Sequence, residues 1–281
     1  MTVITAAADA PIARQGRQRD ERASKLTEVL VLTQRNLLKL IRVPQLAFFS
    51  LVQPILFLTL FSQVFQGLAK TPGIERLHVN YIDYLLPAIL IVTVAQNAVQ
   101  SAVGIATDLN TGVIDRFRSL PISRGSVLVA RSMSDVLRST VQGLIMVALG
   151  MAVFGFRFHG SLLGAAAMIA LAALFAWSLT WIFLALGVAT KNAETAQVAG
   201  FMFLFPLMFA ASAFVPVASL PGWMQAIAKV NPLSYLTDAN RALALGWPAG
   251  TVVLKALLSI AIVTTIGVTL TSLAWKRLSK A

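Results

Sequence analysis

Residues 158–190 read FHGSLLGAAAMIALAALFAWSLTWIFLALGVAT, without one Asp, Glu, Lys or Arg from Phe158 to Thr190. About 20 mostly apolar residues suffice for a helix to cross the hydrocarbon of a bilayer. Leu, Ala and Val dominate the stretch and no period-2 alternation runs through it, so it reads as a spanning helix and not as a barrel strand. Uncharged intervals of comparable length lie on both sides of it, at 43–69, 84–107, 139–156, 195–228 and 256–275. The spacing predicts spans near 44–66, 83–104, 135–156, 161–187, 196–217 and 252–274.

The composition agrees. Of 281 residues, 57% are hydrophobic and 12% charged, against about 25% charged in a soluble domain. Too few polar side chains exist to clothe this apolar mass in water. A disordered chain, a disulfide scaffold (there is no cysteine) and an ordinary water-soluble enzyme are excluded. The net charge of +12 has an explanation in topology. With the N-terminus inside, only Lys70, Arg76, Arg157, Lys229, Arg241 and Lys255 of the 23 Lys and Arg fall outside, a strong positive-inside bias. The expected fold is an all-α polytopic membrane protein with six transmembrane helices and both termini in the cytoplasm. No basic patch interleaved with aromatics appears, so no nucleic-acid partner is expected.

Residues 1–24 carry four arginines and no apolar run of the signal-peptide kind, and read as a disordered cytoplasmic tail. In 25–42, Leu26, Leu30, Thr33, Leu37, Leu40 and Ile41 recur at helical spacing, with Glu28, Arg35, Lys39 and Arg42 opposite. This predicts an interfacial amphipathic helix ending before Pro44. It is either a plain anchor or an elbow that also touches a cytoplasmic partner. In 105–126, Ile105, Leu109, Val113, Phe117 and Leu120 repeat every three to four residues and Pro121 ends the pattern. A short helix continuing from the second span and turning back is expected, either a solvated connector or a rigid knob for a partner. The stretch 218–250 is too apolar for a free loop and is broken by Pro221, Gly222, Pro232, Gly246 and Pro248. Asn231 before Pro232 is a cap followed by the first helical position, and Gly246 is a stop. Two short re-entrant helices, near 221–229 and 232–245, follow, with Trp223, Tyr235 and Trp247 suited to the interface. They are surface decoration or a lid over an extracellular mouth.

The chain has no G-x-x-x-x-G-K-[ST] phosphate loop, metal-ligand cluster or nucleophile motif. It is not expected to be an enzyme, and no cofactor is expected in it. His159 reads as a turn residue. Ionisable groups are confined to span ends, where Asp135 and Arg138 are spaced to pair; an ion-coupled carrier usually keeps such groups at mid-membrane. The uncharged Gln53, Gln96, Asn97 and Gln100 lie within spans and either line a path or join helices.

Four motifs carry a family resemblance. They are Gln34-Arg35-Asn36 with Arg42-Val43-Pro44, Gln53-Pro54-Ile55-Leu56-Phe57 and Val64-Phe65-Gln66-Gly67; then Asp108, Gly112, Asp115-Arg116-Phe117 and Leu120-Pro121-Ile122; then Gly155-Phe156-Arg157-Phe158; and last Pro221-Gly222-Trp223 with Asn231-Pro232-Leu233-Ser234-Tyr235, Asp238 and Arg241. In order and spacing they resemble the ABC-2 type transporter permeases, of the daunorubicin/doxorubicin-resistance kind, over residues 25 to about 250. The resemblance implies a transmembrane domain over 25–281. It implies a second permease chain, identical or related, and two ATP-binding subunits that hold ATP and Mg. Arg35 and Lys39 of the interfacial helix, and Asp108, Gly112, Asp115, Arg116, Phe117, Arg118 and Pro121 of a coupling helix, would meet those subunits. Trp223, Asn231, Pro232, Tyr235, Asp238 and Arg241 would belong to an extracellular gate. The implied function is export of a hydrophobic or amphipathic drug, lipid or lipid-linked glycan across the cell membrane. A secondary carrier or channel without an ATPase, and a non-transporting scaffold, are the competing functions.

The charge bias yields a direct test. An impermeant thiol reagent on intact cells should label a single cysteine placed at Ser219 and none placed in 105–126. The opposite pattern overturns the orientation.

Overall fold

In a computed structural model, residues 27, 29–34, 44–64, 80–113 and 124–278 are described. Their regular structure is helical throughout: α1 (Pro44–Val64), α2 (Tyr81–Asn110), α3 (Arg124–Val153), α4 (Leu162–Thr190), α5 (Ala193–Phe209), a 3₁₀ turn (Val217–Ser219), α6 (Gly222–Ala228), α7 (Pro232–Leu245) and α8 (Gly250–Leu278).

From Leu85 to Val92 helix α2 is apolar on every side, and a helix of that kind belongs inside. Leu85, Leu86, Ala88, Ile89, Leu90, Ile91 and Val92 are each no more than 1% exposed. Helices α1, α3, α4, α5 and α7 surround it. The α2–α4 crossing is close because Gly187 has no side chain: a Cβ there would lie 2.3 Å from the Ala102 carbonyl oxygen. Helix α8 rests on α4 in the same manner, with Gly267 against Trp181 and Ile182 and the Thr271 hydroxyl donating to the Trp181 carbonyl. The outer faces of α3 (Leu137, Val141, Leu144) and α8 (Leu254, Leu258, Ile262) are exposed and apolar, as a lipid-facing surface must be.

Among the described residues, four helices are long and apolar enough to cross a membrane: α2, α3 from Gly125, α4 and α8. Helix α5 and the Val52–Val64 part of α1 are apolar but shorter. Several sequence expectations change accordingly. The predicted span 135–156 is a helix from Arg124 to Val153, and 83–104 extends to Asn110. Side chains pair across the two helices at this end, Arg131 with Asp108 and Asp135 with Ser101. The helix expected to continue from the second span over 105 onward does so to Asn110 as the last turns of α2, which end as Gly112 takes a φ of 68°; the rest of the expected segment, 114–123, lies outside the described residues. The predicted span 196–217 is helical only to Phe209. The chain then makes a buried turn, whose backbone partners come from other helices. The two short helices in 218–250 form as the proline and glycine positions predict. Residues 29–34 are helical. They dock on α3 through Leu32 and Thr33, whose hydroxyl donates to the Ala130 carbonyl at 3.2 Å, while Leu30 is exposed.

Gly187→Ala should lower the thermal unfolding temperature of the detergent-purified protein, at a cost of about 1–3 kcal/mol for overpacking. Gly222→Ala, where a Cβ meets open space, should not. Equal melting of the two variants would remove the close-crossing argument.

Candidate functional site

After Phe209 the backbone of 210–214 leaves the helix while staying buried. Carbonyls in such a place lack helical donors and water alike, and each must be satisfied from within the protein. Side chains of α7 and α2 do this. The Asn231 amide donates to the carbonyls of Leu207 at 2.6 Å and Ala210 at 3.3 Å. The Tyr81 hydroxyl donates to Phe214 at 3.1 Å. Arg241 donates from Nη1 to Ser212 and from Nη2 to Ala213, both at 2.6 Å, and from Nε to Tyr84 at 2.9 Å.

Helix α7 delivers these groups because of how it starts. The Asn231 side chain caps it, accepting from the Leu233 amide at 3.0 Å, with Pro232 at the first helical position. That fixes the phase in which Leu233, Leu236, Ala239 and Asn240 are fully buried and Arg241 faces α2. The guanidinium is only 2% exposed and stacks over the Tyr84 ring, 3.6 Å from its centroid. Its desolvation is offset by three carbonyl dipoles, the π face and the Asp238 carboxylate 3.6 Å away.

The other residues expected at this end fall around the same point. Asp238 accepts from the Ser212 hydroxyl at 2.7 Å, and the Tyr235 hydroxyl donates to the Lys229 carbonyl. Trp223 stands apart on α6, 67% exposed. Between α7, the 212–217 turn and the start of α8 lies an open cleft of about 340 Å³, with Tyr84, Asp238, Arg241 and Trp247 in its lining. Sequence reading missed Tyr81, Tyr84, Ser212 and Asp83. Asp83 is fully buried in the first turn of α2, where a carboxylate suits the helix dipole. It accepts from the Arg157 amide at 2.8 Å and so ties the α3–α4 turn to α2. The available signal was the run of small and polar residues Ala211-Ser212-Ala213 directly after an apolar helix.

A polar seam joins α2 and α3 toward the other end. The Asn97 amide donates to Gln142 at 2.8 Å and to Ser139 at 3.4 Å. The Ser101 hydroxyl donates to Asp135, and Arg138 donates to the Asn97 carbonyl at 3.3 Å. Asp135 and Arg138 thus bond across to α2 instead of pairing along α3. At the base, Arg131 donates to Asp108 at 2.7 Å. Its guanidinium fills the space over Gly104, where a Cβ would meet Nη2 at 1.4 Å. Asp108 therefore pairs inside the chain, and its partner Arg131 was not foreseen. Among the path candidates, Gln96 is buried against the Met208 sulfur, whereas Gln53 and Gln100 are exposed. Arg35, Lys39, Asp115, Arg116, Phe117, Arg118 and Pro121 lie outside the described residues. Among those described, no cluster of His, Asp and Glu has a metal-holding arrangement.

This combination is that of a polytopic helical membrane protein with a side-chain-stitched break after one helix and a short packed helix before the last. The family model of the ABC-2 type transporter matches residues 27–245, which take in every helix described up to α7. The chain belongs to the ABC-2 type transporter family. It is 32% identical over 239 residues to the daunorubicin resistance ABC transporter permease protein DrrB1 of Streptomyces coeruleorubidus, covering 84% of this chain and 82% of that one. It is 28% identical over 244 residues to the putative transport permease ycf38 of Cyanophora paradoxa, covering 82% and 80%. It is 27% identical over 200 residues to the probable doxorubicin resistance ABC transporter permease protein DrrC of Mycobacterium tuberculosis, covering 71% and 70%.

The Arg241 geometry sets a further test. Arg241→Ala orphans three buried carbonyls and leaves Asp238 without its cation, and should cost at least about 3–5 kcal/mol in detergent unfolding. Arg241→Lys should recover little, because one ammonium cannot reproduce the planar fork aimed at three acceptors. Wild-type stability of the lysine variant would refute this account.

Proposed function

We propose that this chain is the membrane subunit of an ATP-driven exporter in the cell membrane. It works as a pair of identical or related permease chains, with two separate subunits that bind ATP and Mg. It is read with six spans, N-in and C-in: α1 and α5 join the four longer helices in crossing, and α6 and α7 dip back from the outer face. Family membership across nearly the whole bundle is the observation that carries this reading. The absence of a phosphate-binding loop supports it, since energy then has to arrive through contact with another protein. The names of two relatives carry daunorubicin and doxorubicin resistance, which favours a drug-like amphipathic substrate over a glycan.

The mechanism follows from how α2 is held at its two ends. The segment after Gly112, with Asp115, Arg116, Phe117, Arg118 and Pro121, acts as the coupling element in a groove of the ATPase, and Arg35 and Lys39 add contacts from the interfacial helix. The Asp108–Arg131 clasp stands at its base, so displacement of the segment moves α2 and α3 together. Helix α2 transmits that displacement to Tyr84 and Arg241, and through Arg241 to the turn that ends α5 and to α7. Gln53, Gln96, Asn97 and Gln100 serve as polar points along the path.

Phe117→Ala should weaken capture of the ATP-binding subunit by at least about 1–2 kcal/mol if its ring is an interface anchor. Arg116→Glu should leave hydrolysis running without transport in liposomes. An arginine substitution in the tail, at Arg14, should change neither. Failure of the wild-type chain to retain any ATPase, together with transport driven by an ion gradient alone, would replace this reading with that of a secondary carrier.

A further inference from the structure

The cleft of about 340 Å³ beside α7 is small but within reach of ligand-sized pockets, which begin near 300 Å³. Its chemistry is one-sided. Arg241, although it lines the floor, is closed to a ligand: it is almost completely buried and its donors point at the carbonyls of Tyr84, Ser212 and Ala213. Asp238 is different. Its Oδ1 is held by the Ser212 hydroxyl and faces Arg241. Among the described residues Oδ2 has no partner, and the side chain is 45% exposed. The walls are Pro216, Val217, Pro248 and Val252, with the half-buried Trp247 ring beside them.

An anion entering this cleft meets the Asp238 carboxylate, while the Arg241 guanidinium beneath it has its donors already committed to three carbonyls. A neutral apolar group finds the walls but leaves the carboxylate without a partner. A group carrying N–H donors and positive charge satisfies Oδ2 by a charge-assisted hydrogen bond while its apolar body covers the walls and the indole. We infer that the cleft between α7, the 212–217 turn and the start of α8 binds an amphipathic primary ammonium, with Asp238 as the charged contact. In the exporter proposed above this becomes a contact for amine-bearing substrates on the release side; that role rests on the exporter reading, whereas binding itself does not.

The test uses the full chain purified in detergent, without any ATPase, and three probes of one shape: phenylbutylamine, phenylbutanol and phenylbutanoate. Calorimetry should show the amine bound about tenfold or more tightly than the alcohol, the gain expected of one charged hydrogen bond, and the carboxylate bound least. Asp238→Asn keeps an oxygen for Ser212 and should reduce the amine to the level of the alcohol. Val252→Phe fills the cleft, leaves Asp238 in place, and should weaken amine binding about tenfold or more; it decides the matter if the asparagine variant does not fold. Equal affinity for amine and alcohol in the wild type overturns the proposal, and so does an undiminished amine preference in the variants. Because no ATPase is present, a negative result here leaves the exporter reading standing, and failure to capture an ATPase leaves amine binding standing.

Discussion

An arginine buried within a lipid-facing bundle has to be surrounded by its own partners, and Arg241 is. Two carbonyls from the turn after α5, one from α2, the ring of Tyr84 and the carboxylate of Asp238 enclose it. The dependence runs both ways. Without the arginine, the turn that shortens α5 would hold bare carbonyls where water is scarce. Without the turn, the guanidinium would be an uncompensated charge. One side chain thus fixes the end of α5, the position of α7 and the start of α2 relative to one another. The short α5 and the packed α7 are two sides of a single arrangement.

Helix α2 is the element that makes this local device matter to the whole molecule. Its apolar half is enclosed by five neighbours, and small residues let the chain pass closely where α4 crosses it at Gly187. Its polar half changes character: Asn97, Ser101 and Asp108 face complementary groups on α3. Dispersion and shape hold one end, and directional bonds hold the other. These directional bonds, with the Asp108–Arg131 pair at their base, tie α3 to α2 at that end.

Much of this architecture was readable in the residues. Uncharged runs located the helices, and Asn231, Pro232 and Gly246 located α7 almost to the residue, because caps and stops are local chemistry. The ends of α3 and α5 were not readable in the same way. The predicted span 135–156 leaves Arg131 outside, as a charge is taken to lie beyond a span, yet Arg131 has a partner in Asp108 of α2 and the helix runs on. Charge-free length also treats 210–217 as good span, since alanine, serine and valine there give no sign that the carbonyls are spoken for by an arginine 29 residues later in the chain. Arg241 and Asp238 were recognised as motif residues, but their roles depend on Tyr84, Ser212 and Ala213, which no local pattern connects. Asp108 drew notice as a charge in a cytoplasmic segment; only the fold shows it answered by Arg131 over a glycine.

The order of the Arg241 partners along the chain has a consequence for how the protein is made. Tyr84, Ser212 and Ala213 all precede the arginine, so each emerges from the ribosome before Arg241 does. Insertion proceeds from the N-terminus, and domains are generally built in that sequence. Helix α7 therefore meets acceptors already present in the bilayer and needs no holding partner for its charge. A circular permutation that moved α7 ahead of α2 would reverse this, and the nascent arginine would wait in the membrane for carbonyls not yet translated.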